Sequence, residues 1–359
     1  MSGMTGRVDC PGKGGLKVET YSEHRKKCGD FSLKADFITD GEVFGLLGAS
    51  GCGKSLTLKC IAGVEKPDRG RICLGETVLF DSDEKINIPA RKRNVGYLFQ
   101  DYALFPNMTV LQNIMCACKS EDKAREFVHR FYLSGKENLK PAALSGGEKQ
   151  RTAIARMLAA EPELVMFDEP FSAVDSSLKA GLEREIRKVI KSCGGQALLV
   201  SHSRDEVHRL TDRIAVMEQG RIDVIQEKKS LFENPLTAAA ARLSGWENIS
   251  PVEAKEDGTL MASQWGISLP TCRCQNKGRA AFAAIRADSF EIAEDDDKEG
   301  ITCIVGEIID EIHRTGVEFI PAGGKGLMTA SFPKGQPLPA AGQEFRLRIP
   351  QDKIKYFDR

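Results

Sequence analysis

Residues 41–63 read GEVFGLLGASGCGKSLTLKCIAG, and this stretch decides the fold. The apolar run Val43–Leu47 is short and bounded by glycine, the pattern of a buried strand, and LTLKCIAG after it is apolar and helix-like. Between them Gly48, Ala49, Ser50, Gly51, Cys52, Gly53, Lys54 and Ser55 fit G-x-x-x-x-G-K-[ST], in the strand–loop–helix context that gives this motif meaning. Such a loop turns backbone N–H groups inward around phosphate oxygens at a helix N-terminus, where the helix dipole also favours negative charge. Lys54 then reaches the β and γ phosphates, and the Ser55 hydroxyl becomes a ligand for Mg²⁺.

Working outward, LVMFDE (residues 164–169) places Asp168 and Glu169 at the end of a second buried strand. Two adjacent carboxylates have no structural reason to sit in apolar surroundings. Asp168 suits the Mg²⁺ shell. Glu169 suits a general base polarising water, with strand alternation sending the two carboxylates to different sides. A third run, ALLV at 197–200, leads to His202, and a fourth strand-like run spans 214–217. Apolar runs alternating with helix-like segments predict a parallel sheet with helices on its faces and ligands at the carboxyl ends of the strands. The first 30 residues are Gly- and Lys-rich, and in them only KVETY reads as a strand.

At 359 residues the chain has room for about two domains. After Leu231 the character changes: FENPLTAAAARLSGW reads as a short helix leading out of the first domain, and residues 247–359 become short β-rich pieces cut by Gly, Pro and acidic turns. The boundary is expected near 235–248. Lys plus Arg and Asp plus Glu are 51 each, so no electrostatic footprint for nucleic acid is present, and nucleic acid is not an expected partner. Hydrophobic residues at 41% and charged residues at 28% fit a folded globular protein. No uninterrupted apolar run approaches the ~18–20 residues of a membrane span, and the polar N-terminus lacks a secretory core. A cytoplasmic location is expected. The 11 cysteines, an odd number, suit reduced thiols, and the C-x-C pairs Cys116/Cys118 and Cys272/Cys274 lack zinc-site spacing.

LSGGEKQR, residues 144–151, decides which kind of P-loop nucleotidase this is. Here the chain resembles the ATP-binding-cassette (ABC) ATPases, whose signature is LSGGQ; Glu148 stands where that signature has Gln. Gln100 in LFQDYALFP matches the family's Q-loop, Asp175 in SAVD its D-loop, and His202 its switch histidine. In isolation Ser145, Gly146 and Gly147 read as a helix cap. The resemblance implies that they face the γ-phosphate held by a second copy, two chains closing head to tail around two ATP molecules.

It also implies that His202 contacts the γ-phosphate, that Gln100 senses the metal and the permease, and that an aromatic ring stacks on adenine. Phe31 and Tyr21 are both candidates for that ring, and the spacing does not choose between them. The fold implied is an α/β ABC ATPase cassette over 1–240, with a helical subdomain at about 101–160. A small all-β domain, oligonucleotide/oligosaccharide-binding-like (OB-like), follows over 247–359 with a regulatory or dimerising role.

QDYALFPNMTV (100–110) looks like the importer branch, and Tyr102, Leu104 and Phe105 are candidates for a groove receiving a permease helix. Transmembrane permease subunits, and indirectly a periplasmic or extracellular solute-binding protein, are the implied partners, at the cytoplasmic face of the membrane. RKKCGDFSLKADF and the tail look similar to molybdate or tungstate importers, a layout shared with sulfate, iron, polyamine and sugar importers. A soluble ABC ATPase of non-transport function is disfavoured by the neutral charge, the single cassette and the β-rich tail.

Overall fold

Alternation along FSLKADFITD, in which Leu33, Ala35 and Phe37 are buried while Lys34, Asp36 and Ile38 face out, makes an amphipathic strand of a stretch in which no strand was read. The computed structural model describes residues 10, 15–24, 31–192, 195–255, 259–269, 281–294, 297 and 299–358, with residues 21–24, 176 and 192 described for their backbone alone. The chain divides into two compact units, Met1–Lys228 and Lys229–Arg359.

The first unit contains β1 (Gly15–His24), β2 (Phe31–Asp40), β3 (Val43–Gly48), α1 (Lys54–Ala62), β4 (Arg69–Leu74), β5 (Thr77–Asp81), β6 (Ile86–Asn87) and β7 (Val95–Leu98). Helices α2 (Val110–Cys118), α3 (Glu121–Arg130) and α4 (Gly146–Ala159) come next. Then β8 (Leu164–Asp168), α5 (Ser176–Ser192), β9 (Ala197–Val200), α6 (Arg204–Leu210), β10 (Arg213–Glu218) and β11 (Arg221–Glu227) complete it.

Among the described residues these strands form one eleven-stranded sheet, ordered β6-β5-β4-β1-β2-β11-β10-β3-β9-β8-β7. The half from β10 to β7 is parallel, as the sequence predicts. The half from β6 to β2 is antiparallel, and β11 joins the two.

The parallel strands are buried on both faces, so period 2 sorts their side chains between two cores. On β8, Leu164 and Met166 pack with Leu58 and Ile61 of α1, whereas Val165 and Phe167 pack on the opposite face with Ile154 and Leu158 of α4. Each such side chain contributes about 1.5–3 kcal/mol on burial, enough to hold the polar ends of these strands in place.

The helical insertion carries its own punctuation. A capping box of Thr109 and Gln112 starts α2, and buried Asn113 accepts from Phe105 N at 2.9 Å while donating to the carbonyls of Phe105 and Met108.

The second unit begins at Lys229, so FENPLTAAAARLSGW (232–246) falls wholly within it. The chain crosses the division at α7 (Lys228–Glu233), and α8 (Ala238–Ser244) buries Ala238 and Ala241 against Trp246, Ala284 and Phe357. Its strands are β12 (Asn248–Ala254), β13 (Leu260–Ala262), β14 (Ile267–Leu269), β15 (Phe282–Ile285), β16 (Glu291–Ile292), β17 (Ile301–Asp310), β18 (Arg314–Pro321), β19 (Met328–Pro333), β20 (Glu344–Arg348) and β21 (Lys355–Phe357).

Among the described residues they form two antiparallel five-stranded sheets, β14-β13-β12-β15-β21 and β16-β20-β17-β18-β19, around a core that includes Trp265, Ile285, Phe319, Phe332 and Leu347. The all-β architecture is consistent with an OB-like domain. Asn248 stitches one sheet to the other: its amide donates to Ile285 O and Thr329 O and accepts from Thr329 N at 2.7 Å. Among the described residues no helix is long and apolar enough to cross a membrane.

Candidate active site

The loop between β3 and α1 closes because glycine stands where a side chain cannot. At Gly48 a Cβ would lie 2.3 Å from Met217 O, and at Gly53 the backbone sits at φ +107° with a Cβ position 2.8 Å from Leu33 Cδ1. Gly53 caps α1 without a side chain, so the first-turn N–H donors of the helix have no side-chain cap to satisfy them and open toward an anion. Lys54 is only 8% exposed and donates to the carbonyls of Gly48 at 2.7 Å and Ala49 at 2.9 Å, which curls its ammonium back over the loop. Cys52 is buried in the same turn, its N–H donating to Ala49 O.

A cleft of about 480 Å³ opens on this loop, a size typical of small-molecule sites. Phe31, Ser50, Gly51, Gly53, Lys54, Ser55, Gln100, Glu169 and His202, remote in sequence, all line it. Behind it Asp168 is 2% exposed, its Oδ1 accepting from Ser55 Oγ at 3.0 Å and its Oδ2 from Tyr97 OH at 3.3 Å. Burial raises the Asp168 carboxyl above its ordinary range, opposed by the Ser55 and Tyr97 hydrogen bonds.

One carboxylate beside one hydroxyl is a hard oxygen donor pair that fits Mg²⁺, which keeps waters and completes its shell from substrate phosphates. Among the described residues no cluster of three or more His, Cys, Asp or Glu offers an all-protein cage. The C-x-C pair at 272 and 274 lies outside the described residues.

Glu169 departs from the expected geometry in one respect. It does not continue the strand: its φ is +53°, so a turn into left-handed backbone, and not strand alternation, separates it from Asp168. That conformation costs about 1–2 kcal/mol for a residue with a Cβ. Hydrogen bonds of about 1 kcal/mol each offset it: Glu169 N donates to Val200 O at 2.9 Å, and Glu169 O accepts from Gln150 Nε2 and Ser172 Oγ, both at 3.2 Å. The Glu169 carboxylate then meets His202 Nδ1 at 3.3 Å, and the His202 side chain is 71% exposed.

Ser145, Gly146 and Gly147 do not line the cleft. Ser145 caps α4 through a reciprocal box in which Glu148 accepts from Ser145 N at 2.9 Å and Ser145 Oγ from Glu148 N at 3.3 Å. Glu148 also pairs with Lys136 at 3.3 Å, and the Ser145 N–H holds its carboxyl below the usual range. A glutamate at this position is thus a built part of the helix start.

Phe31 sits at the first residue of β2 within the cleft, whereas the Tyr21 side chain lies outside what is described. Tyr97, which touches Asp168, belongs to no motif read in the sequence, where the stretch around it is marked only by Gln100. Period 2 places Tyr97 on the same face as Val95, against the core that holds α1. A phenol aimed at that face is the signal that was available.

A second cleft, about 580 Å³, is lined by Ala62 at the end of α1 and Val64 just after it, by β7, by Tyr102 and Phe105, and by Arg156 of α4. Leu104 instead packs into the helical core. Arg156 donates to Ala103 O at 2.8 Å and Tyr102 O at 3.2 Å and lies 5.2 Å over the Phe105 ring, pinning two residues in left-handed backbone.

Fold and cleft together define a P-loop nucleotide-binding protein. Residues 35–172 match the family described as "ABC transporter". The Fe(3+) ions import ATP-binding protein FbpC of Haemophilus influenzae is 36% identical over 264 residues, 71% of this chain and 74% of the relative. The molybdate/tungstate import ATP-binding protein WtpC of Pyrococcus horikoshii is 39% identical over 255 residues, 68% and 71%.

The spermidine/putrescine import ATP-binding protein PotA of Aggregatibacter actinomycetemcomitans is 31% identical over 326 residues, 86% and 85%. A dimeric post-hydrolysis structure of the ATP-binding cassette MJ0796, bound to ADP and Pi, superposes with a TM-score of 0.52 at 25% identity, covering 60% of this chain and 98% of that one. The chain belongs to the ABC transporter family, among its import ATP-binding proteins, ATPases coupled to transport.

Proposed function

We propose that this chain energises uptake of an inorganic oxyanion, molybdate or tungstate, as the ATP-hydrolysing subunit of an importer. The observation that carries the ATPase assignment is the single cleft gathering Lys54, Ser55, Gln100, Glu169 and His202, with Asp168 directly behind it. In this reading the Gly48–Ser55 loop and Lys54 bind the phosphates of ATP, Phe31 stacks on adenine, and Ser55, Asp168 and Gln100 hold Mg²⁺. When bound, that cation neutralises charge on the transferred phosphoryl group.

Glu169 accepts a proton from the attacking water, and His202, already on the Glu169 carboxylate, keeps that base oriented and contacts the γ-phosphate. Ser145, Gly146 and Gly147 lie away from this cleft, which supports their serving the cleft of a second copy in a head-to-tail pair.

The apolar cleft at Tyr102 and Phe105 takes a permease helix, and a solute-binding protein delivers cargo to the permease from outside. The chain works at the cytoplasmic face of the membrane. The second unit serves regulation or dimerisation.

Glu169→Gln is the direct test of the chemistry: MgATP binding and MgATP-dependent dimerisation persist while the hydrolysis rate falls about 10²–10⁴-fold. Near-normal turnover would remove Glu169 from the base role.

The solute rests on the 39% identity to the molybdate/tungstate relative. A ferric-ion reading is favoured by relatives at 36% and 35% identity. Uptake assays in cells carrying the chain with its permease, comparing molybdate, tungstate, sulfate and Fe³⁺, separate the two: stimulation by iron alone would overturn the oxyanion assignment.

A further inference from the structure

We infer that Tyr97 is a positioning residue for Asp168, holding one carboxylate oxygen so that the other is presented beside Ser55 to the nucleotide's metal ion. The inference rests on the reading of Asp168 as a magnesium ligand and adds the residue that orients it.

Three features of the structure carry it. First, β7 runs parallel to β8 in register, Tyr97 opposite Met166 and Leu98 opposite Phe167, so the ring at position 97 starts beside the residue two positions ahead of Asp168, on the same face of β8. Second, the ring is held: it packs against the core that includes Leu58, Ile61 and Met166, and meets the Phe99 ring edge-on at 4.6 Å between centroids. A ring fixed in this way fixes where its hydroxyl points.

Third, that hydroxyl donates to Asp168 Oδ2 at 3.3 Å while Ser55 Oγ donates to Oδ1 at 3.0 Å, so the two carboxylate oxygens have separate partners. Oδ2 is committed to the phenol. Oδ1 faces the Ser55 hydroxyl, the other oxygen given to Mg²⁺ in the proposed function, so it is the oxygen on the cation's side.

Simple filling of space is the competing account, and phenylalanine would serve it. A tyrosine hydroxyl taken out of water needs a partner, and here that partner is the buried carboxylate at the cleft. Partners that orient a metal ligand from behind typically change metal affinity or activity about 10–100-fold when removed.

The test uses the full-length chain and Tyr97→Phe, which keeps the ring. A fluorescent ATP analogue is titrated first in EDTA, then at fixed concentration against Mg²⁺, with Mn²⁺ followed by electron paramagnetic resonance as an independent count of bound metal. Thermal melts check folding.

The expected result is a rise of about ten-fold in half-saturating metal for Tyr97→Phe, with metal-free nucleotide affinity unchanged. Asp168→Asn, titrated alongside, is expected to weaken metal binding at least as much. If Asp168→Asn weakens it and Tyr97→Phe stays within about two-fold of wild type, the ring is packing only and the inference falls. Equal loss of metal-free nucleotide affinity in Tyr97→Phe would also overturn it, since the effect would then lie in the loop. Unaltered metal binding in Asp168→Asn would sink the magnesium reading itself, a separate and recognisable failure.

Discussion

The two units of this chain treat buried charge in opposite ways. The first buries Lys54, Arg93, Asp168, Glu183 and Glu206; among the described residues the second buries only neutral polar groups, Thr237, Ser244, Asn248 and Ser250. Taking a charge out of water is expensive, so each buried charge calls for a local reason. Some of those reasons are structural. Arg93 donates to Cys60 O and Ile61 O, closing the far end of the helix that begins with Lys54, and Glu183 takes a two-pronged contact from Arg209 at 2.9 Å.

Lys54 and Asp168 differ from these in standing at the nucleotide cleft. Lys54 donates to loop carbonyls, Asp168 receives hydroxyls, and neither has an oppositely charged hydrogen-bond partner at the cleft. Charge held without neutralisation beside a cavity is the physical mark of a binding site. The second unit shows the contrasting economy: Asn248, Ser250 and their like satisfy backbone groups inside a sandwich.

This contrast can be broken by experiment. The largest expected effect is at Lys54: Lys54→Ala should weaken ATP binding about 10–100-fold, the value of a charge-assisted contact, while leaving the melt of the second unit unchanged. Undiminished binding of a fluorescent ATP analogue would place the phosphate site elsewhere.

Next is Asn248→Ala, which strands Thr329 N–H and two carbonyls and should cost about 2–3 kcal/mol, read as a lower melting temperature at unchanged hydrolysis per folded molecule. Loss of hydrolysis without loss of stability would show that the second unit's polar core is tied to the chemistry after all.

Smallest is Asp168→Asn in the nucleotide-free chain. Burial raises this carboxyl, so the folded chain keeps its proton to higher pH than the unfolded one, and stability declines as pH rises from the ordinary carboxylate range through the raised value. The substitution removes that decline. A modestly higher melting temperature is expected at pH 7, with the gain vanishing below about pH 4, where both states are protonated.

Much of the first unit was legible because its motifs are local. Gly48 to Ser55 is contiguous, and the backbone conformation that cradles phosphate is set by glycines within it. The parallel half of the sheet was legible too, since runs such as LVMF and ALLV are apolar on both faces. Of the antiparallel half KVETY marked β1, but β2 escaped because it alternates with charged residues facing out, which reads as polar sequence until its partners β1 and β11 are known.

By itself the sequence marked the candidates: the P-loop, Asp168 and Glu169 through their own motifs, and Gln100 and His202 through the family resemblance. Tertiary structure alone decided how they meet. Glu169 swings into left-handed backbone because Val200 of β9 and Gln150 of α4, with Ser172 three residues on, supply its hydrogen bonds. Tyr97 reaches Asp168 because two strands 71 positions apart in sequence lie side by side. Residue identity and local spacing are written along one dimension. The orientation of a carboxylate depends on partners that only packing brings within 3.5 Å, the outer reach of a hydrogen bond.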